Sequence, residues 1–258
     1  MTSDIVITKY DKDDIFPQDE TIVRELRANL YINGDFYMSI MCMPKYFDEL
    51  AVGFLFAEGL IKSYQEIQRI SSTCTGNIFV FTHEPVDTSR SEKRVLISGC
   101  ANGSVNLAFL DEAKLTTITE PSQMTPETIV VHMQRFAKQS DVFRDTGAVH
   151  SSALVFPDGQ SIFYEDIGRH NAVDKVIGTA LMTGIDIRQG ALLISGRISS
   201  EIALKTAKLG IPILISQAAP TSMSVAIARK VNLTLVGFAR GRRFNVYSGG
   251  QRIVTDVG

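Results

Sequence analysis

From Thr21 onward the chain falls into short apolar blocks whose spacing switches between the two-residue period of strands and the longer period of helices. "TIVRELRANLYINGDFYMSIMCMP" holds two β-rich runs about Ile32-Asn33-Gly34-Asp35, and the Asn-Gly pair predicts a hairpin. "YFDELAVGFLFAEGLI" follows, with Leu50, Phe54 and Leu55 at helical spacing and Gly59 near its end. Three more β-rich runs come next: one around Ile70, then "NIFVFTH", then "RVLISG", which delivers Cys100. The pattern predicts an α+β unit.

The second half alternates types. Thr125 can cap a helix with Pro126 at its first position. "HSSALVFP" and "SIFYED" form a predicted hairpin about Pro157-Asp158-Gly159, and a helix follows from about His170 to Met182. The apolar strands "ALLISG", "IPILIS" and "LTLVGFAR" are separated by the helices "SEIALKTAKL" and "TSMSVAIARKV", and "FNVYS" closes the pattern. Such an order predicts a largely parallel or mixed sheet covered on both faces, with ligands at the strand-to-helix junctions. The expected division is 1–118 for a smaller N-terminal α+β domain and 119–258 for an α/β domain.

Composition narrows the function classes. The 258 residues are 45% hydrophobic and 21% charged, with a formal net charge of -2. There is no bulk basicity to attract nucleic acid or an anionic membrane, so any anion site must come from local clusters of arginine. The first residues lack a basic segment followed by an apolar run, and no apolar run approaches the roughly 18 residues of a membrane span. Three unevenly spaced cysteines, Cys42, Cys74 and Cys100, fit a reducing compartment, and a cytoplasmic location is expected. None of the four histidines pairs with cysteines at metal-ligand spacing, so no structural metal is expected. A Walker loop and a G-x-S-x-G elbow are both absent.

Three junctions gather polar residues. In "EDIGRHNAVDKVIG", Gly168 permits a turn, and Arg169, His170 and Asn171 open the next helix, where free N–H groups favour an anion. Asp174, one turn beyond, is placed to orient the His170 imidazole. In "SGRISSEIALK", Ser199 or Ser200 can cap a helix with Glu201 in its first turn, which leaves Arg197 unexplained at a sheet end. "SQAAPTSM" reads as a well-capped helix start. Near the C-terminus, Arg240, Arg242 and Arg243 flank Gly241, with Phe238 or Phe244 as an aromatic face. Phosphate forks and a charged edge strand account for this stretch equally well.

Taken in order, "EDIGRHNAVDKVIG", "SGRISSEIALKTAKLGIPIL", "APTSM" and "LVGFARGRRFNVY" resemble the FdhD family of formate dehydrogenase accessory sulfurtransferases, and "MCMPKYFDELAVGFLFAEGLI" extends the resemblance into the first half. It implies a C-terminal three-layer α/β/α sandwich similar to cytidine deaminases but lacking their zinc ligands. It implies a carrier that takes persulfide sulfur from a cysteine desulfurase to the molybdenum cofactor for formate dehydrogenase. The bound substrate would be the Mo-bis(molybdopterin guanine dinucleotide) form, hence guanine nucleotide binding, and the protein a homodimer.

By the same resemblance, Phe238, Ala239, Arg240, Gly241, Arg242 and Arg243 correspond to the cofactor-contact segment and Cys100 to the persulfide carrier. Arg169, His170 and Arg197 are expected to join the cofactor site, the arginines on phosphate. Many family members carry C-x-x-C at the cysteine, whereas this chain has Cys100-Ala101-Asn102-Gly103. One thiolate suffices for a relay, because it can accept and surrender a sulfane sulfur. The missing second cysteine leaves a competing expectation, a cofactor-binding chaperone that transfers no sulfur. Cys42, in an apolar run, and Cys74, in a polar turn, are expected to be incidental.

Overall fold

The computed structural model describes residues 1–12, 14–87, 115–119 and 122–255. The predicted strand "RVLISG" and Cys100 lie outside the described residues.

The chain opens with an element the pattern did not predict. Strands β1 (Thr2–Asp11) and β2 (Asp14–Val23) pair antiparallel into a separate two-stranded ribbon. Charged residues interrupt its apolar positions, and Pro17 sits mid-strand, where proline argues against an interior strand. The ribbon has no interior: Val6 and Tyr10 are 72% and 74% exposed.

Strands β3 (Leu26–Ile32) and β4 (Asp35–Cys42) form the predicted hairpin. Asn33 and Gly34 both take positive φ, 53° and 96°, the two-residue turn whose twist matches the flanking strands. Helix α1 (Phe47–Ala57) leads to β5 (Ile67–Ser72) and β6 (Asn77–Thr82), completing a sheet of order β4-β3-β6-β5. Leu50, Ala51, Val52 and Leu55 of α1 cover Ala28, Leu30, Ile78 and Val80 of the sheet.

The larger unit contains α2 (Pro126–Gln139), α3 (Asp141–Thr146), β7 (His150–Val155), β8 (Ser161–Asp166), α4 (Arg169–Met182), β9 (Ala191–Ile194), α5 (Ser200–Lys208), β10 (Ile213–Ser216), α6 (Ser222–Val231), β11 (Thr234–Arg240) and β12 (Arg243–Ser248). Its six strands run in the order β12-β11-β10-β9-β7-β8. The sheet is mixed: β9, β10 and β11 are parallel, while β7 opposes both of its neighbours and β12 opposes β11. Strand alternation splits the core in two. Leu154, Leu192, Leu214 and Leu235 pack against α4, α5 and α6, whereas Ala153, Val155, Leu193 and Ile215 pack against Ile129, Met133 and Phe136 of α2. The result is the expected α/β/α sandwich, and Ile118 packs within it.

The two units meet helix on helix. Gly53 of α1 and Gly178 of α4 face each other so closely that a Cβ on Gly53 would lie 1.8 Å from the Asp174 carbonyl oxygen. A Cβ on Gly178 would lie 1.9 Å from that of Glu49. Only glycine permits this backbone approach.

Candidate functional site

The sheet registers bring the predicted junctions to one edge. Asp166 ends β8 opposite His150, Ile194 ends β9 beside Ser216 of β10, and Arg240 ends β11 opposite Arg243. The turns carrying Arg169 and His170, Arg197, Gln217, and Arg240 to Arg243 therefore leave the sheet on the same side. β8 and β11 are four strand spacings apart, roughly 19 Å at about 4.8 Å per strand, the reach of an elongated ligand.

At the β8 end, α4 starts on Gly168 without a side-chain cap. The side chains of Arg169 and His170 converge on Glu201 in the first turn of α5. Arg169 Nη2 lies 3.5 Å and His170 Nε2 lies 3.2 Å from Glu201 Oε2. Neither contact is an aligned hydrogen bond, and Arg169 Nε and His170 Nε2 are buried without a hydrogen-bond partner among the described residues. Burial, reinforced by the Lys205 and Arg169 charges, pushes His170 down to about 3, so it is neutral at pH 7. His150 comes from β7 into the same place, where a Cβ on Gly196 would stand 3.2 Å from its Nδ1. Burial, together with Arg169, lowers its pKa as well.

Asp174 does not orient His170. It is buried and accepts a 2.6 Å hydrogen bond from Lys205 Nζ, so its charge is engaged one helix away. The carboxylate beside His170 is Glu201, which the sequence presented only as a first-turn acid. Nothing in the spacing showed that α5 turns this residue toward α4.

Deeper in α4, Lys175 is fully buried with Asp166, its Nζ 2.6 Å from Oδ2. Asp166 also accepts from the N–H groups of Met43 and Gly168 and from Asn171 Nδ2. Asn171 Nδ2 also donates to the Met41 carbonyl, so this network fastens the end of β4 to the start of α4. Cys42 lies within the same surroundings. Burial, and secondarily the Asp166 charge, push its thiol up to about 12, far from a nucleophile's range. Cys74 is exposed in the β5–β6 turn.

At the β11 end the structure separates the two phenylalanines. Phe244 packs against the α2 side of the core, whereas Phe238 is 42% exposed and held at φ 53° on a strand irregularity. Its N–H donates to the Ala218 carbonyl, which sets the unusual backbone. Ala239 is buried, and Arg240 Nε donates to the Gln217 carbonyl at 2.7 Å, tying this segment to the third junction. Arg242 and Arg243 are exposed at the hairpin tip beside Gly241. Arg197 is exposed at the β9 end and its side chain has no ion pair among the described residues. Ser199 and Thr221 do what their composition allows: each accepts the N–H of its own helix start. Among the described residues, no group of three His, Cys, Asp or Glu side chains could hold a metal ion.

Residues 23–254 match the FdhD/NarQ family. The chain belongs to that family. Among its relatives, the sulfur carrier protein FdhD of Bacillus subtilis (strain 168) is 35% identical over 96% of this chain and 95% of its own. The protein of the same name from Listeria monocytogenes serotype 4b (strain F2365) is 38% identical over 91% and 92%. A crystal structure assigned to a formate dehydrogenase accessory protein from Desulfotalea psychrophila superposes with a TM-score of 0.82. It is 27% identical and covers 98% of this chain and 99% of that one. For a member of this family, the sheet edge offers cations at both ends, an exposed aromatic ring, and an under-bonded Arg-His pair.

Proposed function

We propose that the protein is a sulfurtransferase that carries persulfide sulfur on Cys100 from a cysteine desulfurase to a molybdenum cofactor destined for formate dehydrogenase. The observation that carries this reading is the sheet edge with Arg169, Arg197, Arg240, Arg242 and Arg243 beside exposed Phe238, in a chain whose relatives are named sulfur carriers. Arginine forks suit phosphates, and Phe238 supplies a face for a base. A guanine dinucleotide form, Mo-bis(molybdopterin guanine dinucleotide), fits that combination as bound substrate. In the loading step the Cys100 thiolate attacks the outer sulfur of the desulfurase persulfide. A new S–S bond forms on Cys100, the old one breaks, and the desulfurase thiolate leaves.

Two further features belong to the reading. No helix among the described residues is long and apolar enough to cross a membrane, which fits work in the cytoplasm. The exposed Ile5, Val6, Tyr10, Ile15 and Phe16 of the β1–β2 ribbon suit a homodimer contact.

The test is the mass of Cys100 after incubation with a cysteine desulfurase and cysteine. One added sulfur on Cys100, absent from Cys42 and Cys74, is the expected result. An unmodified Cys100, with full support of formate dehydrogenase activity by Cys100→Ala in a strain lacking its own copy, leaves the second reading: a cofactor-binding chaperone. The sequence Cys100-Ala101-Asn102-Gly103, with one thiol and not two, is what favours that alternative.

A further inference from the structure

We propose that Glu201 is a place-holder: its carboxylate occupies the position an incoming phosphate takes between Arg169 and His170, and swings aside when that phosphate binds. The inference rests on the reading of this edge as a phosphate-bearing ligand's site and names the residue that controls entry to it.

The contacts of Glu201 are those of a substitute and not of a settled partner. One oxygen, Oε2, faces both Arg169 Nη2 and His170 Nε2, at 3.5 and 3.2 Å. A built arginine–carboxylate pair is shorter and commonly two-pronged. Here the carboxylate leaves Arg169 Nε and His170 Nε2 buried and without a hydrogen bond among the described residues, a cost that a structural ion pair normally removes. A phosphate has more oxygens and a wider spread than one carboxylate, so it can reach donors that Glu201 leaves idle.

Electrostatics gives Glu201 its other task. Arg169 and Lys205 both lie near enough to depress the His170 pKa, and they add like charge at the start of α4. A carboxylate there offsets their repulsion, and its place in the first turn of α5 is favoured by that helix's own dipole. The side chains of Glu201, Arg169 and His170 are 31%, 32% and 30% exposed, so the carboxylate can reach water without opening the core. Asp174, by contrast, is buried against Lys205 and has no such path to water.

The experiment uses calorimetry on the full chain, with guanosine diphosphate and guanosine as probes for wild type, Glu201→Gln and Glu201→Asp. A place-holder predicts that Glu201→Gln binds guanosine diphosphate about two- to fivefold more tightly, the range of one partly exposed charge interaction. Glu201→Asp, which keeps the charge, stays near wild type, and guanosine, lacking phosphate, shows no gain. Weaker binding of both probes to Glu201→Gln overturns the proposal and makes Glu201 a contact for the base. Unchanged binding of guanosine diphosphate overturns it too and makes Glu201 a bystander. Both results leave the site reading standing. If wild type binds no guanosine diphosphate, the site reading fails and the place-holder fails with it.

Discussion

Two sets of charges share the first two turns of α4, and the protein treats them in opposite ways. Asp166 and Lys175 are wholly buried, 2.6 Å apart, and Asp166 accepts three further N–H bonds. Asp174, also buried, takes a 2.6 Å bond from the less buried Lys205. One turn earlier, Arg169 and His170 share a single oxygen of Glu201, and Arg169 Nε and His170 Nε2 are buried with no hydrogen-bond partner among the described residues. The difference lies in completion, since all of these groups are charged or polar. A buried pair with every lone pair engaged fixes the fold, while one left incomplete at a sheet edge keeps donors ready for a ligand.

The contrast is most sharply broken from the buried side. Lys175→Met should destabilise the protein by about 3–5 kcal/mol, because it strands the Asp166 charge. Urea unfolding checks this, and Asp166→Asn added to Lys175→Met should recover part of the loss. The second effect comes from the seat of α4. Gly178→Ala places a methyl against the Glu49 carbonyl and should cost about 1–3 kcal/mol as α1 and α4 move apart. A melting curve for this variant that overlays wild type would show that the two units need not touch.

On the incomplete side the effects move from stability to binding. Arg169→Ala should weaken guanosine diphosphate by about 1.5–3 kcal/mol, the worth of a charge-assisted hydrogen bond, yet change the unfolding free energy by less than about 0.5 kcal/mol. Equal losses in both would erase the distinction between the two sets. The last effect is one of pH. His170 is held well below its unfolded pKa, so between pH 7 and about 5.5 only the unfolded chain takes up its proton, and stability falls on acidification. The slope steepens as the pH falls past the unfolded pKa, and His170→Asn should flatten it in a series of melts at stepped pH.

Much of this was legible in the chain. The Asn33-Gly34 hairpin, the Thr125 cap, and the alternation of apolar strands with helices each have a local cause, and each stands where the pattern put it. The sheet edge was legible too, since strand ends and helix starts are marked by glycine and hydroxyl residues. Partnerships across elements were not. Asp174 sits at helical spacing from His170, but Lys205, thirty-one residues away, takes its carboxylate. Glu201 likewise gains its role only when α5 is laid beside α4, and Asp166 meets the Met43 N–H only when the end of β4 reaches it. The β1–β2 ribbon escaped for a different reason: with no buried face, its apolar residues have no period to follow.

The glycine crossing also bears on how the molecule comes into being. Translation finishes α1 long before the ribosome has made α4, and Gly53 gives α1 a face shaped for nothing but that later helix. The nascent chain must therefore carry an unfinished surface until Gly178 has emerged. The period of greatest vulnerability falls during synthesis, and slower elongation between the two helices would lengthen it.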